Sequence, residues 1–391
     1  MTTNSADKKA YIWGGVPAHN PWLLHKTRFV VGDPVAYLSI PNGAAKPETF
    51  FILREIELDR AKKQADATHV HGYSDFTPSS GLSGDRETAT AQSAAECLTR
   101  KGVKEVWTDR SLPMLFTHVL ESAGVKVRCD PELGVLERRS KTPKEVEALR
   151  AAQSMTERAI KMACEMIARA KADASGILQH DGAPLTSERV KSAINIFLLE
   201  NGFSTSDSIV AGGPQGGDCH ERGSGPLRTG QPVIVDVFPM DPKTHYFGDC
   251  TRTVVHGIIP PEIAEMHSAV VEAKRAAINA TRVGATGQQV HEAACAVFKK
   301  HAFATGLPPR NTPGKPGTTF AHGTGHGVGL DVHEPPLLAE GGPALVEGDC
   351  LTIEPGLYSH TLGGIRIEDM VIVRAHAVDN LNTLPEGLTW A

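Results

Sequence analysis

Residues 233–255 read VIVDVFPMDPKTHYFGDCTRTVV, and residues 351–373 read LTIEPGLYSHTLGGIRIEDMVIV. Each stretch opens and closes on apolar, largely β-branched residues, as two strands joined by a turn would. Each also carries two acids inside or beside those runs: Asp236 and Asp249 in the first, Glu354 and Glu368 in the second. The spacings nearly coincide, since 249 minus 236 is 13 and 368 minus 354 is 14. A single acid in such a run is most simply the cap of a turn. Four acids in two matching settings need a different explanation, because buried carboxylates crowded together are prohibitive without a compensating cation. Two divalent cations balance four carboxylates, and the pattern predicts a two-metal hydrolytic site.

Between the two stretches lies AHGTGHGVGLDVHE, residues 321–334. Glycine recurs at 323, 325, 327 and 329, a spacing that lets backbone pack closely on its neighbours. His322, His326 and His333 stand among these glycines, and His326 is the expected fifth ligand. Neutral imidazole binds zinc, manganese, cobalt or iron. The helical HExxH motif of mononuclear zinc peptidases is absent from the sequence. Arg366 sits two residues before Glu368 and should share its face, either orienting a ligand carboxylate or holding an anionic substrate group. Asp369 should point to the opposite face and is left out of the site.

The rest of the chain frames this half. At 391 residues two domains are the default expectation, and a net charge of −5 gives no case for nucleic-acid binding. No apolar run reaches membrane-spanning length, and the start, MTTNSADKKAYIWGG, does not read as a secretory signal, so a cytoplasmic protein is expected. Seven cysteines without a CxxC pair argue against a disulfide framework or a Cys-rich zinc site, and Cys250 and Cys350 read as buried space-fillers. Residues 1–138 alternate strands (35–40, 50–53, 103–107, 125–129) with helices (87–101, 111–123), a small α/β domain. His69 and His71 within it read as ordinary surface or packing histidines. At Thr142-Pro143-Lys144-Glu145 a capping box opens the second domain, 139–391. Its helices are expected at about 143–155 and beyond, 186–200, 261–281 and 286–304. PRNTPGKPGTTF, 309–320, reads as a Pro/Gly-rich loop. Two helices followed by a carboxylate-bearing strand pair, twice over, suggest an internal duplication.

The five-residue order Asp236, Asp249, His326, Glu354, Glu368, with GHGVGLDVHEPP and GIRIED around it, resembles the pita-bread metallopeptidases, in the prolidase and Xaa-Pro aminopeptidase branch. The likeness runs from about residue 140 to the end, and the first domain is similar to the creatinase/prolidase N-terminal domain. The fold class implied is α+β: a pita-bread domain with a pseudo-twofold duplication behind a smaller α/β domain. The resemblance implies two divalent metal ions (manganese favoured over cobalt, zinc or iron), with Asp236 chelating one, Asp249 and Glu368 bridging, and His326 and Glu354 holding the other. It further implies Glu354 as proton shuttle, His333 near the scissile carbonyl, His220 as a substrate-positioning histidine, and His322 and Arg366 around the substrate. The expected reaction is hydrolysis of the bond preceding proline at the N-terminus of dipeptides or short peptides, by a protein with no membrane or nucleic-acid partner and a homodimeric assembly. Two other readings stay open at this point: hydrolysis or lysis of a small non-peptide substrate on the same fold, and a binding module without activity. The intact ligand set disfavours both that module and a metal-free, creatinase-like reaction.

Overall fold

The structure, a computed structural model, describes residues 9–43, 45–306 and 317–390. The first eight residues of the N-terminal stretch and most of the 309–320 loop therefore lie outside the described residues. The chain divides into two compact units, Met1–Arg138 and Arg139–Ala391.

In the first unit the strands order as His69–Gly72, Ala45–Leu53, Val35–Asn42, Tyr11–Gly15, Glu105–Thr108, Lys126–Cys129. Alternate residues face opposite sides of a strand, and both sides of this sheet are apolar. Ile12, Leu38 and Ile52 join Leu98, Phe116 and Leu120 on one side, while Trp13, Tyr37 and Phe51 join Leu23 and Phe29 on the other. The strand Tyr11–Gly15 was not foreseen, because two of its five residues are glycine and no alternation is legible. His69 and His71 lie on an edge strand, where His71 bonds Asp75 at 3.0 Å, a packing role.

The second unit repeats one layout. Helices Pro143–Ala168 and Ser187–Glu200 share an apolar core with strands Pro232–Val237 and Cys250–Val255. Helices Pro261–Ala280 and Gly287–Lys300 share a second core with strands Cys350–Ile353 and Asp369–Val373. Capping boxes start one helix of each half, Thr142 with Glu145 and Thr286 with Gln289, each satisfying two backbone donors and contributing about 1 kcal/mol. Cys250 and Cys350 are buried, unpaired thiols. Among the described residues no helix is long and apolar enough to cross a membrane.

The two strand pairs differ in how they close. Pro232–Val237 pairs antiparallel with Cys250–Val255, Asp236 opposite Thr251. Cys350–Ile353 pairs antiparallel with Asp369–Val373. The expected simple turn is not what joins that second pair. Residues 354–368 leave the sheet and build a hairpin of their own, Gly356–Ser359 with Gly363–Arg366, which belongs to a different sheet. Pro355 has no N–H to continue the ladder. Gly363, at φ +103°, and Gly364 let the hairpin lie against the backbone of Gly213 and Gly216. Glu354 and Glu368 thus sit where the chain crosses between two sheets, and Arg366 ends a neighbouring strand rather than belonging to the one that starts at Asp369.

Candidate functional site

Each acid is placed by a backbone that something else holds. Asp236 lies in a strand whose other residues are fully buried and apolar. Asp249 precedes its strand, and the buried Gln153 side chain grips its main chain from both sides: Gln153 Oε1 accepts from Asp249 N and Gln153 Nε2 donates to Asp249 O, each at 2.8 Å. Glu354 N donates to Thr324 O at 2.8 Å, and Glu368 N to Thr251 O at 3.1 Å. Thr251 Oγ1 also donates to Glu368 Oε2 at 2.8 Å. The glycines of the histidine segment act as expected at Gly325, where a side chain would strike the carbonyl of Thr352. Close approach of those backbones brings His326 N within 3.0 Å of Thr352 Oγ1.

All five expected ligands line one cleft of about 560 Å³ in the second unit, with His220, His322, His333 and Arg366 also on its wall. That volume lies in the ordinary range for small-molecule sites. Asp249, His326 and Glu368 each place one ligand atom within 4.8 Å of the others. His326 Nε2 is 3.4 Å from Glu354 Oε1 and 3.7 Å from Asp249 Oδ2. Its Nδ1 faces the carbonyl of Gly327 at 3.0 Å. A carbonyl only accepts, so Nδ1 carries the proton and Nε2 turns its lone pair toward the carboxylates. Burial holds the His326 pKa below its ordinary value, so the ring is not charged to suit those acids.

The electrostatics of the acids are equally unbalanced. Burial, then Glu368, Asp236 and Glu354, drive the Asp249 carboxyl well above the carboxylate range. Burial, then Glu354 and Asp236, do the same to Glu368. Among the described residues, one cation bonds to one of these acids: Arg366 Nη2 donates to Asp236 Oδ2 at 2.6 Å, whereas Arg222, also on the cleft wall, pairs with Asp207. Asp236 Oδ1 is buried and has no hydrogen-bond partner. Orphaned acceptors of this kind are rare unless an ion or water completes them. Four carboxylates, one of them with an orphaned oxygen, and an imidazole lone pair around one cleft fit a divalent-cation site of mixed oxygen and nitrogen donors.

The remaining expected residues take distinct positions. The His333 ring lies 4.2 Å from that of His326, exposed to the cleft, with a pKa lowered by burial and by His326. His220 is exposed on the rim, its backbone N donating to Asp218 Oδ1 at 2.9 Å. His322 has no nitrogen to spare. Its Nδ1 faces Gly323 O at 2.7 Å, so it must donate there, and its Nε2 lies 2.7 Å from the Tyr358 hydroxyl. Arg366 Nη1 donates to that hydroxyl at 3.0 Å, so Tyr358 gives its proton to His322. Burial pushes the Tyr358 pKa up, which keeps the proton in place.

Gln153, Thr251 and Tyr358 were not found by reading the sequence. Gln153 had a signal, as a polar residue on the apolar stripe of its helix (Val146, Leu149, Ile160). Thr251 and Tyr358 had none, since either residue is at home in a strand.

A model of metallopeptidase family M24 matches residues 147–375. An Xaa-Pro dipeptidase of Pyrococcus furiosus is 29% identical over 62% of this chain and 62% of its own. That of Pyrococcus horikoshii is 26% identical over 70% of this chain and 71% of its own. The match to the first therefore spans less than two thirds of that relative's length. In structure, an Xaa-Pro dipeptidase from Bacillus anthracis aligns over 97% of this chain and 94% of its own, with a TM-score of 0.78 at 21% identity. That likeness establishes the pita-bread fold. The family match covers more than half the chain, over the residues that build the cleft: this protein belongs to metallopeptidase family M24.

Proposed function

We propose that this protein hydrolyses the peptide bond preceding proline at the N-terminus of dipeptides or short peptides, with two divalent cations held by Asp236, Asp249, His326, Glu354 and Glu368. The observation that carries the reading is the charge deficit: of the four acids around the imidazole lone pair, only Asp236 is paired with an arginine among the described residues, Arg366, while Arg222 on the same wall is taken by Asp207. The donor set is four carboxylates to one imidazole, which favours manganese over softer metals. When bound, such cations supply Lewis acidity that brings the pKa of water to near neutral.

The chain's own groups do the rest. Glu354, less buried than the other three acids and open to the cleft, takes the proton of the attacking water and passes it to the leaving nitrogen. His333 stands ready to hold the oxyanion that develops on the scissile carbonyl. Asp236 lies beside the place of the substrate's free amine, and Arg366 holds its carboxylate in one orientation. His322 and Tyr358 buttress that arginine, while the His322 ring flanks the pocket without donating to substrate. His220 on the rim positions the peptide. The imino nitrogen of proline has no N–H to donate, so selection rests on the shape of this wall.

The free cysteines suit a reducing compartment, and we place the protein in the cytoplasm. Its family resemblance predicts a homodimer, which sedimentation at micromolar concentration checks. The function is tested by metal content together with product analysis on an Xaa-Pro dipeptide and an Xaa-Pro-Xaa tripeptide. Manganese-dependent release of the first residue from either is the expected result. Protein that binds the cation and cleaves neither overturns the substrate, and protein that binds no divalent cation overturns the site.

A further inference from the structure

The second unit begins with two residues, Arg139 and Lys141, fastened in place by buried ion pairs. Arg139 holds Asp349 through two bonds, Nε to Oδ1 at 2.9 Å and Nη2 to Oδ2 at 2.7 Å, and its Nη2 also donates to Ala344 O at 2.7 Å. Lys141 Nζ then pairs with the Glu334 carboxylate, both side chains being 3% exposed. Pairs this deep contribute little net stability, yet removing one partner strands a charge and is strongly destabilising. Such a pair is better understood as a means of fixing a position.

What the Lys141 pair fixes is the residue after His333. Glu334 opens the strand Glu334–Leu338, and His333 immediately precedes it. The Glu334 carboxylate also lies against Gly329, where any side chain would collide with it. Lysine on one side and bare glycine backbone on the other leave that carboxylate a single place to go. His333 has no comparable anchor. Among the described residues no hydrogen bond holds its imidazole, and the aromatic ring beside it is that of His326, at 4.2 Å. The location of the imidazole therefore follows the location of its backbone, and an adjacent fixed point on that backbone is Glu334.

We propose that Lys141 is a positioning residue for His333, acting through the buried carboxylate of Glu334. The proposal rests on the role given to His333 above. Lys141 lies 192 positions away in sequence (333 minus 141) and is not part of the cleft wall.

A double-mutant cycle tests it. K141M, H333A and K141M/H333A are compared with the unaltered enzyme, manganese-loaded, on an Xaa-Pro dipeptide, kcat and KM being measured separately. Displacing a group near the reacting atoms by an ångström can cost about 100-fold, so K141M is expected to lower kcat roughly 10- to 100-fold with little change in KM. In the H333A background the same change is expected to cost less than about 2-fold, the non-additivity of residues that act as one unit. K141R, which keeps the charge, should recover most of the loss. Equal loss in both backgrounds means Lys141 supports the fold in general and overturns the proposal. Folded K141M with unchanged kcat, beside an impaired H333A, overturns the proposal alone, whereas an H333A without effect overturns the role of His333 and this proposal with it. If K141M does not fold, K141M/E334Q removes both charges of the pair and carries the same comparison.

Discussion

Glu368 and Asp369 are adjacent and both almost wholly buried, yet their surroundings drive them in opposite directions. On the Asp369 side, burial alone would raise its pKa, but Lys274 and Arg252 outweigh it and hold the carboxyl below its usual range. Arg252 Nη2 donates to Asp369 Oδ1 at 2.8 Å, Lys274 Nζ pairs with Oδ2, and Asn380 Nδ2 donates to Oδ2 at 2.9 Å. On the Glu368 side, burial adds to the repulsion of Glu354 and Asp236, and the carboxyl is pushed well above that range. One face of the chain is balanced in charge, and the other is in deficit. Burial of an acid is thus not in itself the mark of a functional site. The mark is a buried acid whose compensating charge the protein does not supply.

The largest expected effect breaks the comparison on its open face. Glu354→Gln keeps the shape of the side chain and removes its proton-carrying capacity. Turnover of an Xaa-Pro dipeptide should fall about 1,000-fold or more, equivalent to roughly 4 kcal/mol of transition-state stabilisation. The circular dichroism spectrum and the melting temperature of the folded protein should change little. Rates within a few-fold of the unaltered enzyme would remove Glu354 from the proton path.

On the balanced face the loss should appear in stability instead. Asp369→Asn leaves Lys274 and Arg252 without their shared carboxylate in a dry setting, and breaking such a pair typically costs about 3–5 kcal/mol. Chemical denaturation should record that loss, while the fraction that remains folded binds manganese in the normal ratio. A folded D369N that cannot bind the cation would show that the two faces are not separable.

Arg366 belongs to the open face but is not itself a cation ligand, and a smaller effect follows. Arg366→Met frees the Asp236 carboxylate from its 2.6 Å bond. Partners that orient a metal ligand typically contribute 10- to 100-fold in affinity, about 1.4–2.8 kcal/mol. Competition against a chelator should register that drop, and an unchanged affinity would assign Arg366 to substrate rather than to Asp236.

The contrast between the faces was only half legible in the sequence. The five acid and histidine positions stood out because each interrupts an apolar or glycine-rich run, and period-2 alternation placed Asp369 opposite Glu368. Helices were readable from their caps, Thr142 and Thr286 above all, since a cap is a local event. What could not be read is what depends on distant pairing. The excursion of residues 354–368 into a second sheet is decided by backbone packing of Gly363 and Gly364 on Gly213 and Gly216, more than 140 residues away in sequence (363 minus 216 is 147). Arg252 and Lys274 are ordinary cations in a strand and a helix until the fold closes them on Asp369. The grip of Gln153 on Asp249 likewise joins residues 96 apart.

The smallest effect tests the sign of the contrast directly. In metal-free protein the folded-state pKa of Asp249 lies above its unfolded value of about 3.9. Between those two values the folded state keeps a proton that the unfolded chain has released, so this group's contribution to stability declines as pH rises through that window. The amide introduced by Asp249→Asn cannot titrate and escapes the penalty. Metal-free D249N should therefore melt a few degrees above the metal-free parent at pH 8, and the two should converge as pH falls toward about 4. Asp369 has the opposite sign: its stabilisation is complete above the unfolded value and is lost as pH falls through the lower folded one. The parent's advantage over D369N should therefore persist down to pH about 4 and shrink only below it, where D249N and its parent have already converged. Saturating manganese should reverse the D249N result, because the cation stabilises only the form that binds it well. A metal-free D249N less stable than its parent at pH 8 would mean that Asp249 already has a compensating charge, and the deficit that defines the site would not exist.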